Sequence, residues 1–269
     1  MLKQRIITGL SLLAPVLAVI FLAPTWMLYA VFAAVSLLLA WEWTALMGLQ
    51  AKPARYAYLA GTAVLLVMGW SLREHSVWIF VVATAWWLGA LALLPGFPQN
   101  LERLKPGKFT LGVLGQIMIV PAILALAALH ERSHGPWILL YSLVLVWAAD
   151  VGAYFAGRAF GKHKLAPNVS PGKTIEGAAG GMALSLVLAL ASCSYVFGKP
   201  LAESLPLLGL SLIVTVISIV GDLTESMFKR MSGLKDSGSI LPGHGGLLDR
   251  ADSLLAAMPV MALGLILIS

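Results

Sequence analysis

Long apolar runs constrain this sequence more than any other feature. Hydrophobic residues make up 59% of the chain and charged residues only 11%, less than half of the roughly 25% found in soluble domains. A helix needs about 20 mostly apolar residues to cross the hydrocarbon core of a bilayer. The sequence therefore predicts an all-α, polytopic transmembrane protein. We expect about nine spans, in residues 5–23, 25–49, 57–72, 76–94, 109–129, 136–157, 175–197, 205–228 and 247–269.

The distribution of positive charge predicts the orientation of these spans. If the N-terminus is cytoplasmic and nine spans alternate, 15 of the 18 Lys and Arg residues fall in cytoplasmic segments. An excess of Lys and Arg on the cytoplasmic side is the general rule. This asymmetry accounts for the net charge of +6 without a nucleic-acid partner. We divide the chain into about five N-terminal spans, residues 1–135, and a C-terminal catalytic region, residues 136–269.

Acidic residues gather in the last four predicted spans. Ionisable residues inside a membrane are costly and usually functional. Carboxylates at one depth repel each other unless a cation lies among them, and Mg²⁺ with phosphates is the commonest solution. Structural pairing with Lys229, Arg230 and Arg250 is the alternative. Glu42, in the second span, is expected to pair with a loop lysine rather than to take part in catalysis. The clustered acids are Asp150, Glu176, Asp222, Glu225, Asp249 and Asp252.

Two predicted cytoplasmic loops, residues 157–174 and 229–246, flank these acids. Both combine glycine, basic side chains and small hydroxyls, and both lead into a helix N-terminus. Glycine lets the backbone approach an anion, the N–H groups of a helix start favour phosphate, and Lys and Arg bind phosphate oxygens. Residues 172–174 resemble the end of a P-loop, but Pro167 stands where that motif needs glycine. We predict two phosphate-binding loops; basic loops that only set topology are the alternative.

The stretches at residues 226–230, 235–238 and 241–253 closely resemble the signature of bacterial phosphatidate cytidylyltransferases, also called CDP-diacylglycerol synthases. Two upstream stretches look like the same enzymes, and Ala251 is the one small departure, where a larger aliphatic residue is usual. The resemblance is strong over residues 140–269 and only hydropathic before that. The upstream stretches are residues 149–154 and 170–177.

The resemblance implies a reaction and a site. CTP and phosphatidate would give CDP-diacylglycerol and pyrophosphate, with Mg²⁺ and with a second, monovalent cation left open. It also implies a homodimer in the bacterial inner membrane, with the active site facing the cytoplasm. The implied metal ligands are Asp222 and Asp249, with Asp252 and Asp150 as neighbours. The predicted catalytic residues are Asp222, Asp249, Lys229, Arg230 and Arg250. The predicted substrate-binding residues are Ser170, Lys173, Thr174, Ser226, Lys235, Asp236, His244, Gly245 and Gly246.

Two other functions are compatible with buried acids beside basic loops. A CTP-dependent lipid-alcohol kinase would need a base for its hydroxyl acceptor. A secondary transporter would place its site near the bilayer midplane, often between internal repeats. The acids here are predicted at one interface and the sequence shows no repeat, which favours the cytidylyltransferase.

Overall fold

The computed structural model describes residues 13–198, 200, 203–240 and 245–268, and this part of the chain is mainly helical. Two short strands, β1 (Lys164–Ala166) and β2 (Ser170–Thr174), form an antiparallel hairpin between two of the helices. The helices are α1 (Leu13–Leu22), α2 (Thr25–Leu46), α3 (Lys52–Ser71), α4 (Ser76–Leu93), α5 (Gln99–Leu104), α6 (Lys108–His130), α7 (Gly135–Phe160), α8 (Ile175–Phe197), α9 (Leu205–Met231) and α10 (Leu248–Leu267).

Seven helical segments of the described chain are long and apolar enough to cross a membrane, which confirms a polytopic helical protein. They are α2, the segment Arg73–Gly96 around α4, and α6 to α10. Two of the nine predicted spans are not among these seven segments. Helix α3 covers the run at 57–72 but is not among the seven, and only residues 13–22 of the run at 5–23 are described. The count of nine spans and the cytoplasmic N-terminus therefore stay predictions.

Proline and glycine set several helix ends. Pro53, Pro136 and Pro206 lie in the first turns of α3, α7 and α9, where a fixed φ suits the helix and the missing N–H has no intrahelical acceptor. Gly198 ends α8 with a φ of 62°, a left-handed conformation that glycine adopts without strain. The hairpin occupies the predicted loop 157–174, so that loop is more ordered than the sequence indicates.

Helices α6 and α10 lie inside the bundle. About 72% of the apolar stretch of α6 and 61% of that of α10 are buried, against 22% for α8. Helix α10 packs against α4, α6, α7 and α9. Large apolar side chains such as Trp78, Phe109 and Tyr195 are exposed on the outside, which a soluble surface rarely tolerates over a wide area. Helices on both sides of the predicted boundary at residue 135 thus share one core.

Glycine lets the helix pairs that carry the acids approach closely. A Cβ at Gly221 of α9 would lie 2.6 Å from the carbonyl oxygen of Asp252 on α10. A Cβ at Gly152 of α7 would lie 2.6 Å from the carbonyl oxygen of Gly180 on α8. Small residues at such positions are typical of close helix packing in membranes. The contact at Gly221 brings Asp222 beside the start of α10.

The topology can be tested by cysteine labelling, because Cys193 is the only cysteine in the chain and is buried. In a Cys193→Ala background, Arg73→Cys should react with a membrane-impermeant maleimide in intact cells. Arg103→Cys should react only after permeabilisation, since both positions are exposed and the predicted topology puts them on opposite sides. The Cys193→Ala chain alone is the control. An Arg73→Cys chain labelled only after permeabilisation would mean that α3 does not span.

Candidate active site

Strand β2 carries Lys173 to helix α9. Its Nζ lies 2.7 Å from Oδ2 of Asp222, and it also interacts electrostatically with Asp150 of α7 and Asp252 of α10. A positive charge among carboxylates offsets their mutual repulsion. Lys173 therefore supplies a positive charge to three acids that come from three different helices.

Glu176, in the first turn of α8, holds the base of the hairpin. Its Oε2 accepts a hydrogen bond from the backbone N–H of Lys162 at 3.1 Å and one from that of His163 at 3.2 Å. Its Oε1 lies 2.6 Å from Nδ1 of His163. The first turn of a helix also favours a negative charge. Glu176 thus braces the hairpin that presents Lys173, and its described contacts are with Lys162 and His163 rather than with the other acids.

A second group of charges lies between α9 and α10. Lys229 Nζ is 2.5 Å from Oε2 of Glu225 and 2.6 Å from Oδ1 of Asp249. Glu225 is fully buried and Lys229 is only 8% exposed. Charges at this depth need a partner, because removing one member of a buried pair strands the other. Lys229 was predicted to be catalytic; in the structure its charge is balanced by two carboxylates.

Backbone amides fix Asp249 from the opposite side. Its Oδ2 accepts hydrogen bonds from the N–H of Gly246 at 2.8 Å and of Ser237 at 3.0 Å. Gly245 adopts a φ of 83°, which suits glycine and lets the chain turn into α10. Asp249 is therefore held on both oxygens, by the backbone and by Lys229. His244, another predicted substrate-binding residue, lies outside the described residues.

The structure brings five of the six predicted acids into one group. Asp222 interacts electrostatically with Asp150 and Asp252, Asp252 with Glu225, and Glu225 with Asp249. On α9 the spacing explains the arrangement, since residues three, four and seven apart share one helix face. The two groups around Lys173 and Lys229 thus form one continuous cluster of charges.

The oxygen donors of this site suit a hard divalent cation. Within the described residues, no three His, Cys, Asp or Glu side chains form a ready-made metal site. Mg²⁺ usually needs only one or two carboxylates, together with substrate phosphates. Asp222 is partly exposed, and its described ion-pair and hydrogen-bond partners are the side chains of Lys173 and Ser226. Asp222 and Asp249 therefore fit the chemistry of such a cation, and of the two Asp222 is held less firmly.

The other predicted site residues differ in their exposure and in their hydrogen bonds. The Thr174 hydroxyl is buried and caps α8 by accepting the N–H of Gly177 at 3.1 Å, so a structural role accounts for it. Ser170 is half-buried on β2, and Ser226 lies one turn after Asp222. The remaining predicted site residues are exposed and lie near the charged groups in sequence: Arg230, Lys235, Asp236 and Arg250.

Glu42 of α2 also lies beside these charged groups, at a place that the sequence did not predict. Its Oε2 accepts a hydrogen bond from the N–H of Leu248 at 2.7 Å, and its Oε1 accepts one from the N–H of Leu247 at 3.1 Å. The hydroxyl of Ser237 donates to Oε2 at 3.2 Å. The expected lysine partner is thus replaced by the start of α10. The rule that marks intramembrane acids as functional applies to Glu42 as well, and is the signal that identifies it.

The Lys229 cluster predicts a large stability effect. Replacing Lys229 by Met leaves Glu225 and Asp249 without their shared cation, and we expect a loss of about 3–5 kcal/mol. The neighbouring Arg230 is exposed, so Arg230→Met should change stability by no more than about 0.5 kcal/mol. Thermal unfolding of both purified variants in the same detergent measures the difference. Equal melting temperatures for Lys229→Met and the parent chain would contradict the description of Lys229 as part of a buried ion pair.

Comparison with known proteins shows the family of the chain. Residues 3–268 match the cytidylyltransferase family. A protein of Pseudomonas aeruginosa named phosphatidate cytidylyltransferase is 47% identical over 262 residues, which cover 97% of this chain and 96% of that protein. A Haemophilus influenzae protein of the same name is 38% identical over 279 residues, covering 96% of each chain. With a family match over nearly the whole length, this chain belongs to the cytidylyltransferase family.

Proposed function

We propose that this chain transfers CMP from CTP to phosphatidate, giving CDP-diacylglycerol and pyrophosphate in phospholipid biosynthesis. The observation that carries the proposal is the match over 97% of the chain to a protein named phosphatidate cytidylyltransferase. The geometry supports the same activity, because basic side chains from the hairpin and from α9 meet a group of carboxylates. Enzymes that transfer phosphoryl or nucleotidyl groups work mainly by positioning and charge neutralisation.

The chemistry needs no nucleophile from the protein. A phosphate oxygen of phosphatidate attacks the α-phosphorus of CTP and forms the new P–O bond. The bond from the α-phosphorus to the bridging oxygen breaks, and pyrophosphate leaves with its electron pair. A phosphate monoester is already anionic at neutral pH, so the attacking oxygen needs little help from a general base. The residues of the site therefore have to hold two anions together and to stabilise the charge that develops.

Lys173 is the residue best placed to bind a phosphate. Its ammonium lies 2.7 Å from Oδ2 of Asp222, and its side chain is about one-quarter exposed. On substrate binding, the lysine would exchange or share this contact with a phosphate oxygen, a charge-assisted hydrogen bond. Ser170 and Ser226 would add hydroxyl donors. The exposed residues Arg230, Lys235 and Arg250 would complete the positive surface that receives CTP and the lipid phosphate.

Mg²⁺ is the cofactor that the donor set favours, with Asp222 and Asp249 as its protein ligands. When bound, the ion would neutralise charge on the phosphate oxygens. Asp150 and Asp252 would keep the site negative enough to attract the cation. Lys229, held between Glu225 and Asp249, would keep the Asp249 carboxylate in place.

The cellular setting is part of the proposal. The exposed apolar side chains and seven candidate spans agree with a multi-pass protein. We propose the bacterial inner membrane, with the site facing the cytoplasm, where the headgroup of phosphatidate and soluble CTP can meet. A homodimer is proposed on the resemblance to the family.

A direct assay tests the activity. The purified chain, incubated with phosphatidate, Mg²⁺ and CTP labelled in the cytidine, should give a labelled lipid and free pyrophosphate. A lipid-alcohol kinase would release CDP and leave the cytidine label in solution. A transporter would give no chemical change but would move solute into vesicles. Formation of labelled lipid only with phosphatidate supports the proposal, and no labelled lipid from folded protein would overturn it.

The metal assignment is tested most cleanly at Asp222. Asn keeps the size of the side chain but removes the charge that a hard cation needs, so Asp222→Asn should fold and lose nearly all activity. Binding of a ligand to the native state raises its stability. Mg²⁺ with CTP should therefore raise the melting temperature of the parent chain but not that of Asp222→Asn.

Glu102→Gln, at an exposed carboxylate of α5, is the matched control and should behave like the parent chain. An Asp222→Asn chain that turns over near the parent rate would refute the metal role. Asp249→Asn should also lose activity, but it disturbs the bonds to Lys229 and to the backbone as well.

A further inference from the structure

Glu42 is a buried carboxylate that lies far from the family signature in sequence and next to it in space. It belongs to α2, is only 2% exposed, and bonds to residues 195 to 206 positions later in the chain. Its three hydrogen-bond donors are neutral: two backbone N–H groups and one hydroxyl. A buried charge needs strong compensation. Here that compensation is the start of α10, where free N–H groups and the helix dipole favour an anion.

Glu42 and Asp249 hold the same short stretch of chain from two sides. The N–H groups of Leu247 and Leu248 donate to Glu42, and that of Gly246 donates to Asp249. Ser237 joins the two carboxylates, because its hydroxyl donates to Glu42 while its N–H donates to Asp249. The position of Asp249 therefore depends on a turn and a helix start that Glu42 fixes.

Close packing makes this arrangement specific for the Glu42 carboxylate. A Cβ added at Gly238 would overlap Oε1 of Glu42, and one added at Gly246 would lie 2.8 Å from Oε2. Glycine at both positions leaves room for the carboxylate. The segments around residues 238 and 246 are thus folded around a side chain from α2, as well as around Asp249.

We infer that Glu42 is a positioning residue for the reaction: it sets the start of α10 and the turn at Ser237, and through them the orientation of Asp249 and Lys229. It does not contact the reacting atoms. The effect of Glu42 on catalysis rests on the proposed function, whereas its effect on the start of α10 does not. This role also assigns a task to the N-terminal helices, since α2 supplies the contact that orders the catalytic ends of α9 and α10.

The test compares Glu42→Gln with Ser36→Ala. Ser36 is a buried polar residue of the same helix whose hydroxyl bonds only to the carbonyl of Ala33 among the contacts described, so it is a matched control. A displacement of about 1 Å at a catalytic group can reduce the rate about a hundredfold. Glu42→Gln should lower kcat by about that factor, while KM for CTP changes little because Lys173 and the exposed basic residues remain. Ser36→Ala should retain the parent kcat.

A second readout does not depend on activity. Hydrogen–deuterium exchange at the amides of Gly246, Leu247 and Leu248 should be faster in Glu42→Gln than in the parent chain, and unchanged in Ser36→Ala. If the proposed function fails, the parent chain makes no CDP-diacylglycerol, yet the exchange result still decides the structural claim. If only the inference fails, the parent is active and the variant shows parent exchange rates.

If Glu42→Gln folds poorly, Ser237→Ala provides a second test of the positioning role of Glu42. It removes only the hydroxyl donor and leaves the backbone bonds to Asp249 in place. The effects of two substitutions on the rate are not independent when both residues act as one unit. Ser237→Ala alone should therefore lower kcat, and combining it with Glu42→Gln should lower kcat little further. A reduced melting temperature with an unchanged kcat per folded molecule in both single variants would show that Glu42 only stabilises the fold, and would overturn the inference.

Discussion

The pairing of Lys229 with Glu225 and Asp249 is the interaction on which the rest of the site depends. These three charges lie between two helices of a membrane-embedded bundle, where an uncompensated charge is costly. Because Lys229 balances two acids, α9 and α10 can come close enough for Gly221 to meet the backbone of Asp252. That approach in turn brings Asp222 and Asp252 near the lysine of the hairpin. Charge balance, rather than apolar packing alone, sets the geometry of this end of the bundle.

Much of this could be predicted from the sequence. Apolar runs identify the helices because a bilayer allows few alternatives to them, and the spacing of Asp222, Glu225 and Lys229 places them on one face of a helix. Other features depend on contacts between distant residues, which periodicity does not encode. The hairpin that carries Lys173 and the brace at Glu176 look like a polar loop in sequence, because two strands of three and five residues leave no regular pattern.

The partners of Glu42 likewise could not be predicted from the sequence. An acid between two tryptophans in an apolar run indicates that something compensates its charge, but not what does so. A lysine was the natural expectation, since opposite charges are the commonest partners. The actual partners are backbone amides, which are the same in every sequence and become donors only where a helix begins. Such a pairing can be found only when α2 and α10 are seen side by side.

The central position of α10 has a consequence for biosynthesis. This helix follows all the other described helices in the sequence, yet it packs against α4, α6, α7 and α9. The ribosome adds roughly 5–20 residues per second, so Glu42 is made about 10–40 seconds before Leu247, which lies 205 residues later. During that interval the Glu42 carboxylate lacks the donors that it has in the finished fold. The bundle must therefore stay open, or be kept open by the insertion machinery, until α10 arrives.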